Sequence, residues 1–151
     1  ILSLATKNDE VVIRLESPGG QVHSYGLAAS QLSRIIDKGI PFTACVDKVA
    51  ASGGYMMACI ADKIVAAPFS ILGSIGVVAE LPNFNKVFKK FDVDYDVYTA
   101  GEYKRTVTML GENTVEGKER FVEELESTHT LVKDLVATNR PQLDMNKVAT
   151  G

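Results

Sequence analysis

Residues 42–55 read FTACVDKVAASGGY and join a strand-like segment to a run of small residues around Ser52. The apolar segment Phe42–Val46 is typical of a buried strand, and the apolar run Tyr55–Ala61 predicts a buried helix over about residues 52–61. Small residues on both sides of Ser52 let the backbone and a substrate approach its hydroxyl closely. The stretch therefore predicts a strand-to-helix junction that presents Ser52 as a nucleophile.

Strand-like runs and helical periodicity alternate along the rest of the chain. This alternation predicts an α/β fold built from stacked β-β-α units with a largely parallel sheet. The further predicted strands are Val11–Leu15, Lys63–Ala66, Ile75–Val78 and Asp94–Tyr98. The further predicted helices extend from Tyr25 to Ile36 with an end at Gly39, follow a cap at Asn83, and run from Thr114 to about Asn139.

The composition is that of a globular domain with a core. Of the 151 residues, 46% are hydrophobic and 23% are charged, which excludes a disordered chain. The net charge of −3 offers no basic stripe to a nucleic-acid backbone, so nucleic acid is not an expected partner. No apolar run approaches the ~20 residues of a membrane-spanning helix.

A serine hydroxyl needs a base and an oxyanion-binding site before it can act as a nucleophile. The turn Ser17-Pro18-Gly19-Gly20 can supply the oxyanion site, because its glycines can direct free N–H groups toward a negative charge. Lys104 is the candidate base. An ordinary lysine titrates near ~10.4, so a lysine base needs an apolar pocket that lowers its pKa by roughly 2–3 units. The chain has two histidines, His23 and His129, and both are expected to be solvated or locally hydrogen-bonded rather than catalytic.

Each of these residues also has a purely structural interpretation. Ser52 fits the N-cap of a helix, and the glycines at 19 and 20 fit an ordinary turn. Ser74 lies between Gly73 and Gly76, which can mark no more than a bend in a strand. Lys104 alone would be taken for a surface charge.

Four motifs in a fixed order carry a resemblance to a known family. The set resembles the signal peptide peptidase A (protease IV) family, and the text around Leu15–Gly20 and Gly26–Leu32 resembles its SohB branch. Four ordered motifs are far more specific than any one of them. They are Ser17-Pro18-Gly19-Gly20, Ala50-Ala51-Ser52-Gly53-Gly54-Tyr55, Gly73-Ser74-Ile75-Gly76-Val77 and Gly101-Glu102-Tyr103-Lys104.

The resemblance implies a role for five residues. Ser52 matches the nucleophile of a Ser/Lys dyad, and Lys104 matches its general base. Ser74 matches the serine that hydrogen-bonds the lysine and holds its orientation. The backbone N–H groups of Gly19 and Gly53 would form the oxyanion hole.

The resemblance further implies a ClpP/crotonase-like spiral fold, with residues 1–151 as a single peptidase domain excised from a longer protein. The expected activity is that of a cofactor-free and metal-free serine endopeptidase, acting on hydrophobic membrane-derived or signal peptides. The family assembles into homo-oligomers and commonly carries an N-terminal membrane anchor. A site at the inner membrane is therefore expected, with the catalytic domain on the periplasmic or extracytoplasmic side.

Two other functions remain open at this stage. A crotonase-type acyl-CoA hydratase or isomerase shares the fold and polarises a thioester with two backbone N–H groups, and Glu16 and Glu102 are the carboxylates that can be proposed for it. A non-catalytic assembly domain is the other alternative. The presence of both Ser52 and Lys104 argues against that scaffold.

Two cysteines, Cys45 and Cys59, lie in apolar runs without any metal-binding spacing. Metal and redox chemistry are therefore not expected. Buried free thiols are predicted, and a disulfide between the two residues stays open.

Overall fold

The computed structural model describes residues 2–101 and 103–151. The chain divides into two compact units. The first comprises the residues up to Gly76 together with Leu131–Gly151, and the second comprises Val77–Thr130. The single peptidase domain stays a prediction.

The first unit contains a parallel sheet of four strands: β1 (Val11–Ser17), β2 (Phe42–Ala51), β3 (Lys63–Ala66) and β4 (Ile71–Gly73). Strand β2 is central and pairs with the other three strands, all in parallel. Its first half pairs with β3 and its second half with β4. The carboxyl end of β2, which leads into Ser52, is therefore held between β1 and β4. This arrangement confirms the predicted α/β fold with a largely parallel sheet.

The described residues also form five helices. They are α1 (Val22–Asp37), α2 (Gly53–Ala58), α3 (Asn85–Lys90), α4 (Val115–Asn139) and α5 (Met145–Val148). The core of the first unit centres on β2, where Phe42, Ala44 and Val46 alternate along one buried face. Helices α1 and α2 contact each other, and α2 also contacts β1 and β2. These contacts bring the start of α2 against the end of β1.

Two predicted strands are wrong. Residues 75–78 are irregular, because Gly73 and Ser74 adopt positive φ angles of +106° and +49° and end β4 before Ile75. Ile75 is nevertheless buried, which explains its apolar pattern. Residues 94–98 alternate in polarity as a strand would, but pair with no strand among the described residues. Tyr98 is 91% exposed, whereas Tyr95 is half-buried and packs against the ring of Phe88.

The helix boundaries follow the prediction more closely. Helix α4 begins directly after Thr114, whose Oγ1 accepts the N–H of Gly117 at 3.0 Å and so caps the first turn. The predicted cap at Asn83 is wrong by one residue, because α3 begins at Asn85 with Phe84 in the N-cap position; Asn83 Oδ1 accepts the N–H of Asn85 at 3.2 Å. Helix α2 is shorter than predicted and ends at Ala58, although the apolar run continues.

Candidate active site

Ser52 lies at the junction between β2 and α2 in a strained backbone conformation, with φ 51° and ψ −120°. Its N–H donates to the carbonyl of Gly73 at 2.8 Å. Its carbonyl accepts the N–H groups of Tyr55 at 2.9 Å and Met56 at 3.0 Å. A non-glycine residue in such a conformation costs on the order of 1–3 kcal/mol. The hydrogen bonds on both sides of Ser52 hold it there.

The side chain of Ser52 does not stabilise the helix that follows it. The residue occupies the N-cap position of α2, yet its side chain makes no capping hydrogen bond. No hydrogen bond joins its half-buried hydroxyl to any residue that the structure describes. The helix-cap interpretation therefore does not account for the serine, and the hydroxyl is available to a substrate.

Gly19 packs directly against this junction. A Cβ atom built on Gly19 would lie 2.7 Å from Ser52 Cβ, 2.8 Å from the Ala51 oxygen and 2.9 Å from the Gly53 nitrogen. Its φ of +98° also lies in the region that favours glycine. The fold thus brings together three of the predicted site residues, Gly19, Ser52 and Gly53, from two separate sequence motifs.

A closed ring of hydrogen bonds holds the Gly19 turn. The Gly19 N–H donates to Ser17 Oγ at 3.2 Å, and Tyr25 Oη donates to the Gly19 carbonyl at 3.1 Å. Ser17 Oγ and Tyr25 Oη lie 2.7 Å apart. Each hydroxyl has one proton, so all three bonds form together only if Ser17 donates to Tyr25. Ser17 and Tyr25 therefore fix the orientation of the Gly19 peptide groups.

Tyr25 also covers the start of α2. A Cβ on Gly53 would overlap the Tyr25 ring, and a Cβ on Gly20 would lie 3.0 Å from Tyr25 Cε2. This role was not predicted from the sequence, in which Tyr25 marks only the start of the predicted helix. The available signal was a hydroxyl-bearing aromatic residue in the first turns of a helix that directly follows a glycine turn.

The two proposed oxyanion donors differ in whether their N–H groups already have an acceptor. Gly53 is the first residue of α2, so its N–H has no acceptor within the helix. The Gly19 N–H already donates to Ser17 Oγ, although the bond is long at 3.2 Å. Such a bond is weak enough to be shared with a second acceptor.

Ser74 lies close to the junction through the sheet. It follows β4, whose last residue, Gly73, pairs with Ala51 and accepts the N–H of Ser52. Ser74 is exposed, and its φ of +49° turns the chain away from the strand direction. Its hydroxyl is hydrogen-bonded to no described residue.

Lys104 belongs to the second unit. It lies in an irregular segment after Gly101, and its N–H donates to the Gly101 carbonyl at 3.3 Å. Its side chain is exposed, so the described residues do not provide the burial that a lysine base needs. The neighbouring Arg105 donates to Tyr95 Oη at 3.1 Å.

Of the two carboxylates proposed for an acyl-CoA enzyme, the structure describes only Glu16. Glu16 forms an exposed ion pair with Lys48 at 3.0 Å and is therefore engaged at the surface. Glu102 lies outside the described residues.

The two thiols are free, as the sequence analysis predicted. Cys59 is buried and donates to the Met56 carbonyl at 3.2 Å, and burial raises the pKa of its thiol to about 11. Cys45 is only half-buried, so the prediction of burial is wrong for this residue.

The described residues contain neither a metal-binding cluster nor a membrane-spanning helix. No group of three histidine, cysteine or acidic side chains is arranged to hold a metal ion. No described helix is both long and apolar enough to cross a bilayer.

Comparison with known proteins finds matches along the whole chain. The family models described as "Peptidase family S49 N-terminal" and "Peptidase family S49" match residues 1–32 and 34–151. A "Probable protease SohB" of Haemophilus influenzae is 66% identical over 151 residues, which is all of this chain and 43% of the relative. Proteins of the same name from two Buchnera aphidicola subspecies, Schlechtendalia chinensis and Acyrthosiphon pisum, are 58% and 57% identical over the whole chain, which covers 50% and 45% of them. The chain thus spans half or less of the length of these relatives.

Proposed function

The chain belongs to peptidase family S49, and on that premise we propose that it carries the catalytic serine of an endopeptidase with a Ser/Lys dyad. The observation that carries the proposal is the junction at Ser52. There a half-buried serine sits in a strained conformation, does not cap its helix, and abuts the backbone of Gly19 and Gly53. Strain of this kind at a strand-to-helix turn is typical of a nucleophile held out toward its substrate.

In the proposed reaction Ser52 Oγ attacks the carbonyl carbon of the scissile peptide bond. Neutral Lys104 Nζ accepts the hydroxyl proton and then passes it to the leaving amine as the C–N bond breaks. A water molecule, deprotonated by the same lysine, hydrolyses the acyl-enzyme and regenerates Ser52. Ser74 would hydrogen-bond the lysine and orient it.

The oxyanion of the tetrahedral intermediate would be bound by the N–H groups of Gly53 and Gly19. The Gly53 N–H has no acceptor within the helix, so no helical hydrogen bond has to break before it binds the oxyanion. The Gly19 N–H would be shared between the oxyanion and Ser17 Oγ, whose ring with Tyr25 keeps the peptide group in place.

Because Lys104 is exposed here, the proposed reaction requires further protein around it. We infer that the lysine becomes buried, and its charged form disfavoured, in the full-length protein or in its homo-oligomer. Apolar signal or membrane-derived peptides are the proposed substrates, with a membrane anchor outside this chain and the catalytic part on the periplasmic or extracytoplasmic side. The resemblance to signal peptide peptidase A supports these assignments.

Steady-state cleavage of an apolar fluorogenic peptide by the full-length protein tests the proposal. We expect Ser52→Ala and Lys104→Met each to lower kcat by at least about a thousandfold. Ser30→Ala, at an exposed serine of α1, and Lys118→Met, at an exposed lysine of α4, are the matched controls and should retain full activity. Full turnover by Ser52→Ala would reject the proposed nucleophile.

A further inference from the structure

A cleft of about 730 Å³ opens in the first unit beside β4 and the C-terminal residues of the chain. Its lining includes Ser74 and, farther along, the side chains of Tyr55 and Arg140. We propose that this cleft binds a carboxylate group, held by the Arg140 guanidinium and the Tyr55 hydroxyl. The proposal concerns a site apart from the Ser52 hydroxyl, and it relies on the proposed peptidase function only where the ligand is taken to be a peptide.

Arg140 is a half-buried cation with no carboxylate partner among the described residues. Its two terminal nitrogens donate to the carbonyls of Ala61 and Asn139. A guanidinium has five N–H donors, so three of them stay unused by any described acceptor. The two backbone bonds fix the side chain at the wall of the cleft and leave the remaining donors to a ligand.

Tyr55 supplies a second donor without a partner. The residue is 8% exposed, lines the cleft, and forms no side-chain hydrogen bond with any residue that the structure describes. Burial raises the pKa of its hydroxyl, the Cys59 thiol adds to the rise, and the positive charge of Arg140 partly opposes it. The hydroxyl is therefore a protonated donor near neutral pH, within the field of the guanidinium. Although the residue as a whole is buried, its hydroxyl oxygen stays accessible from the cleft, so a ligand oxygen can accept its proton.

The charges at the mouth of the cleft favour a ligand with a single negative charge. Lys63 adds a second cation to the lining, and Asp62 adds one anion whose Oδ2 accepts the N–H of Phe42 at 2.9 Å. Arg140 and Lys63 together outweigh Asp62 by one charge. The planar fork of a guanidinium matches the two oxygens of a carboxylate, whereas the nearby Asp62 disfavours a dianion such as phosphate.

Two sources can present a carboxylate here. The first is the free C-terminal carboxylate of a peptide, because the cleft extends to Ser74, one residue beyond the carbonyl that holds the Ser52 N–H. The second is an acidic side chain of the protein from outside this chain. The chemistry of recognition is the same for both, and the experiment separates them.

The first arm measures peptide binding by calorimetry to the full-length Ser52→Ala protein, which cannot turn the peptide over if the proposed mechanism holds. The probes are N-acetyl-Ala-Ala-Leu with a free carboxylate and the same peptide as its amide. We expect the carboxylate to bind about tenfold more tightly. Arg140→Gln should abolish that preference and Tyr55→Phe should reduce it, whereas Lys63→Gln, at the exposed rim, should retain most of it.

The second arm detects a carboxylate of the protein itself. The thermal midpoints of the full-length protein and of Arg140→Gln are compared from pH 7 to pH 4, both in an Asp62→Asn background so that this neighbour contributes nothing. Tyr55 and Cys59 are the other titratable groups that interact with Arg140, and their raised pKa values keep both protonated over this interval. A carboxylate bound to Arg140 would have a lowered pKa in the folded state, so its stabilisation is present at pH 7 and lost as the pH falls. The difference between the two midpoints should then shrink on acidification.

A carboxylate preference that depends on Arg140 supports the proposal with a peptide as the ligand. Absence of that preference together with a pH-dependent midpoint difference supports it with an internal carboxylate. No preference and a midpoint difference that is constant with pH would overturn the proposal. Failure of the proposed nucleophile is observed separately, as peptide turnover by the Ser52→Ala protein.

Discussion

Ser52 combines a strained backbone with an unused hydroxyl, and this combination links the local structure to the proposed chemistry. Alanine has the same difficulty as serine at a positive φ, whereas glycine adopts it freely. We therefore expect Ser52→Gly to be more stable than Ser52→Ala by about 1 kcal/mol, with both variants inactive. Urea denaturation of the two variants measures the difference. Equal free energies of unfolding would show that the positive φ carries no strain.

Substitution of Gly19 tests whether the close approach of its backbone to Ser52 contributes to stability and activity. Gly19→Ala combines a positive φ with a Cβ 2.7 Å from Ser52 Cβ, whereas Gly39→Ala has a positive φ and no atom nearer than 4.0 Å. We expect Gly39→Ala to cost about 1–2 kcal/mol and to remain active, and Gly19→Ala to cost more and to lose peptide cleavage. Unfolding free energies and kcat of both variants check this. Similar losses of stability in the two variants would mean that contact with Ser52 adds nothing.

The ring of hydrogen bonds through Tyr25 makes it a positioning residue. Tyr25→Phe removes the bonds to Ser17 Oγ and to the Gly19 carbonyl but keeps the aromatic ring over Gly53. We expect kcat to fall by roughly tenfold or more with KM nearly unchanged, because the Gly19 peptide would lose its orientation in the transition state. Tyr98→Phe, at a residue that is 91% exposed, is the control. Unchanged kcat in Tyr25→Phe would remove the positioning role.

At the residue scale, the sequence indicated the candidate residues Ser52 and Gly19 but neither the role of Tyr25 nor the contacts among the three. Ser52 and Gly19 follow from local patterns, since a serine between small residues and a glycine turn after a strand are visible in the sequence. The ring of Ser17, Gly19 and Tyr25 was not predicted, because it depends on how the first turns of α1 are oriented relative to the preceding turn.

At the scale of elements, the predictions held for β1, β2 and β3, whereas β4 was not predicted although it pairs with β2. Strand β2 was recognised but is longer than predicted, because its polar residues Asp47 and Lys48 interrupt the apolar pattern although pairing continues to Ala51. The pattern at residues 94–98 has the period of a strand, but no strand among the described residues pairs with it. Periodicity reports which side chains are apolar, whereas a strand also requires a neighbour.

Helix α4 gives a prediction at the same scale. Val136 is fully buried, whereas Leu131 is 68% exposed, although both lie in the C-terminal half of the helix. We expect Val136→Ala to cost about 2 kcal/mol through lost burial and the cavity that remains, and Leu131→Ala to cost less than about 0.5 kcal/mol. Thermal denaturation of both variants distinguishes them. Equal destabilisation would contradict the assigned buried face.

At the scale of the whole molecule, the candidate serine and oxyanion donors lie in one compact unit and the candidate lysine lies in another. The order of the motifs predicted the family correctly, and the alternation of strand-like and helical runs predicted the parallel sheet. The surroundings of Lys104 were not predictable from residues 101–105, because the burial of a side chain is set by everything that packs around it. The proposed dyad therefore requires burial of Lys104 by parts of the full-length protein outside its local sequence.

The most direct test of the proposed nucleophile is the intact mass and modified residue of the full-length protein after reaction with a fluorophosphonate at pH 8. We expect a single adduct, located on Ser52, in the native protein and in the Ser30→Ala and Lys118→Met controls. Ser52→Ala should form no adduct, and Lys104→Met should react at least about a hundredfold more slowly, because its serine has lost the base. An adduct on a different residue, or labelling undiminished in Ser52→Ala, would contradict the assignment of Ser52 as the nucleophile.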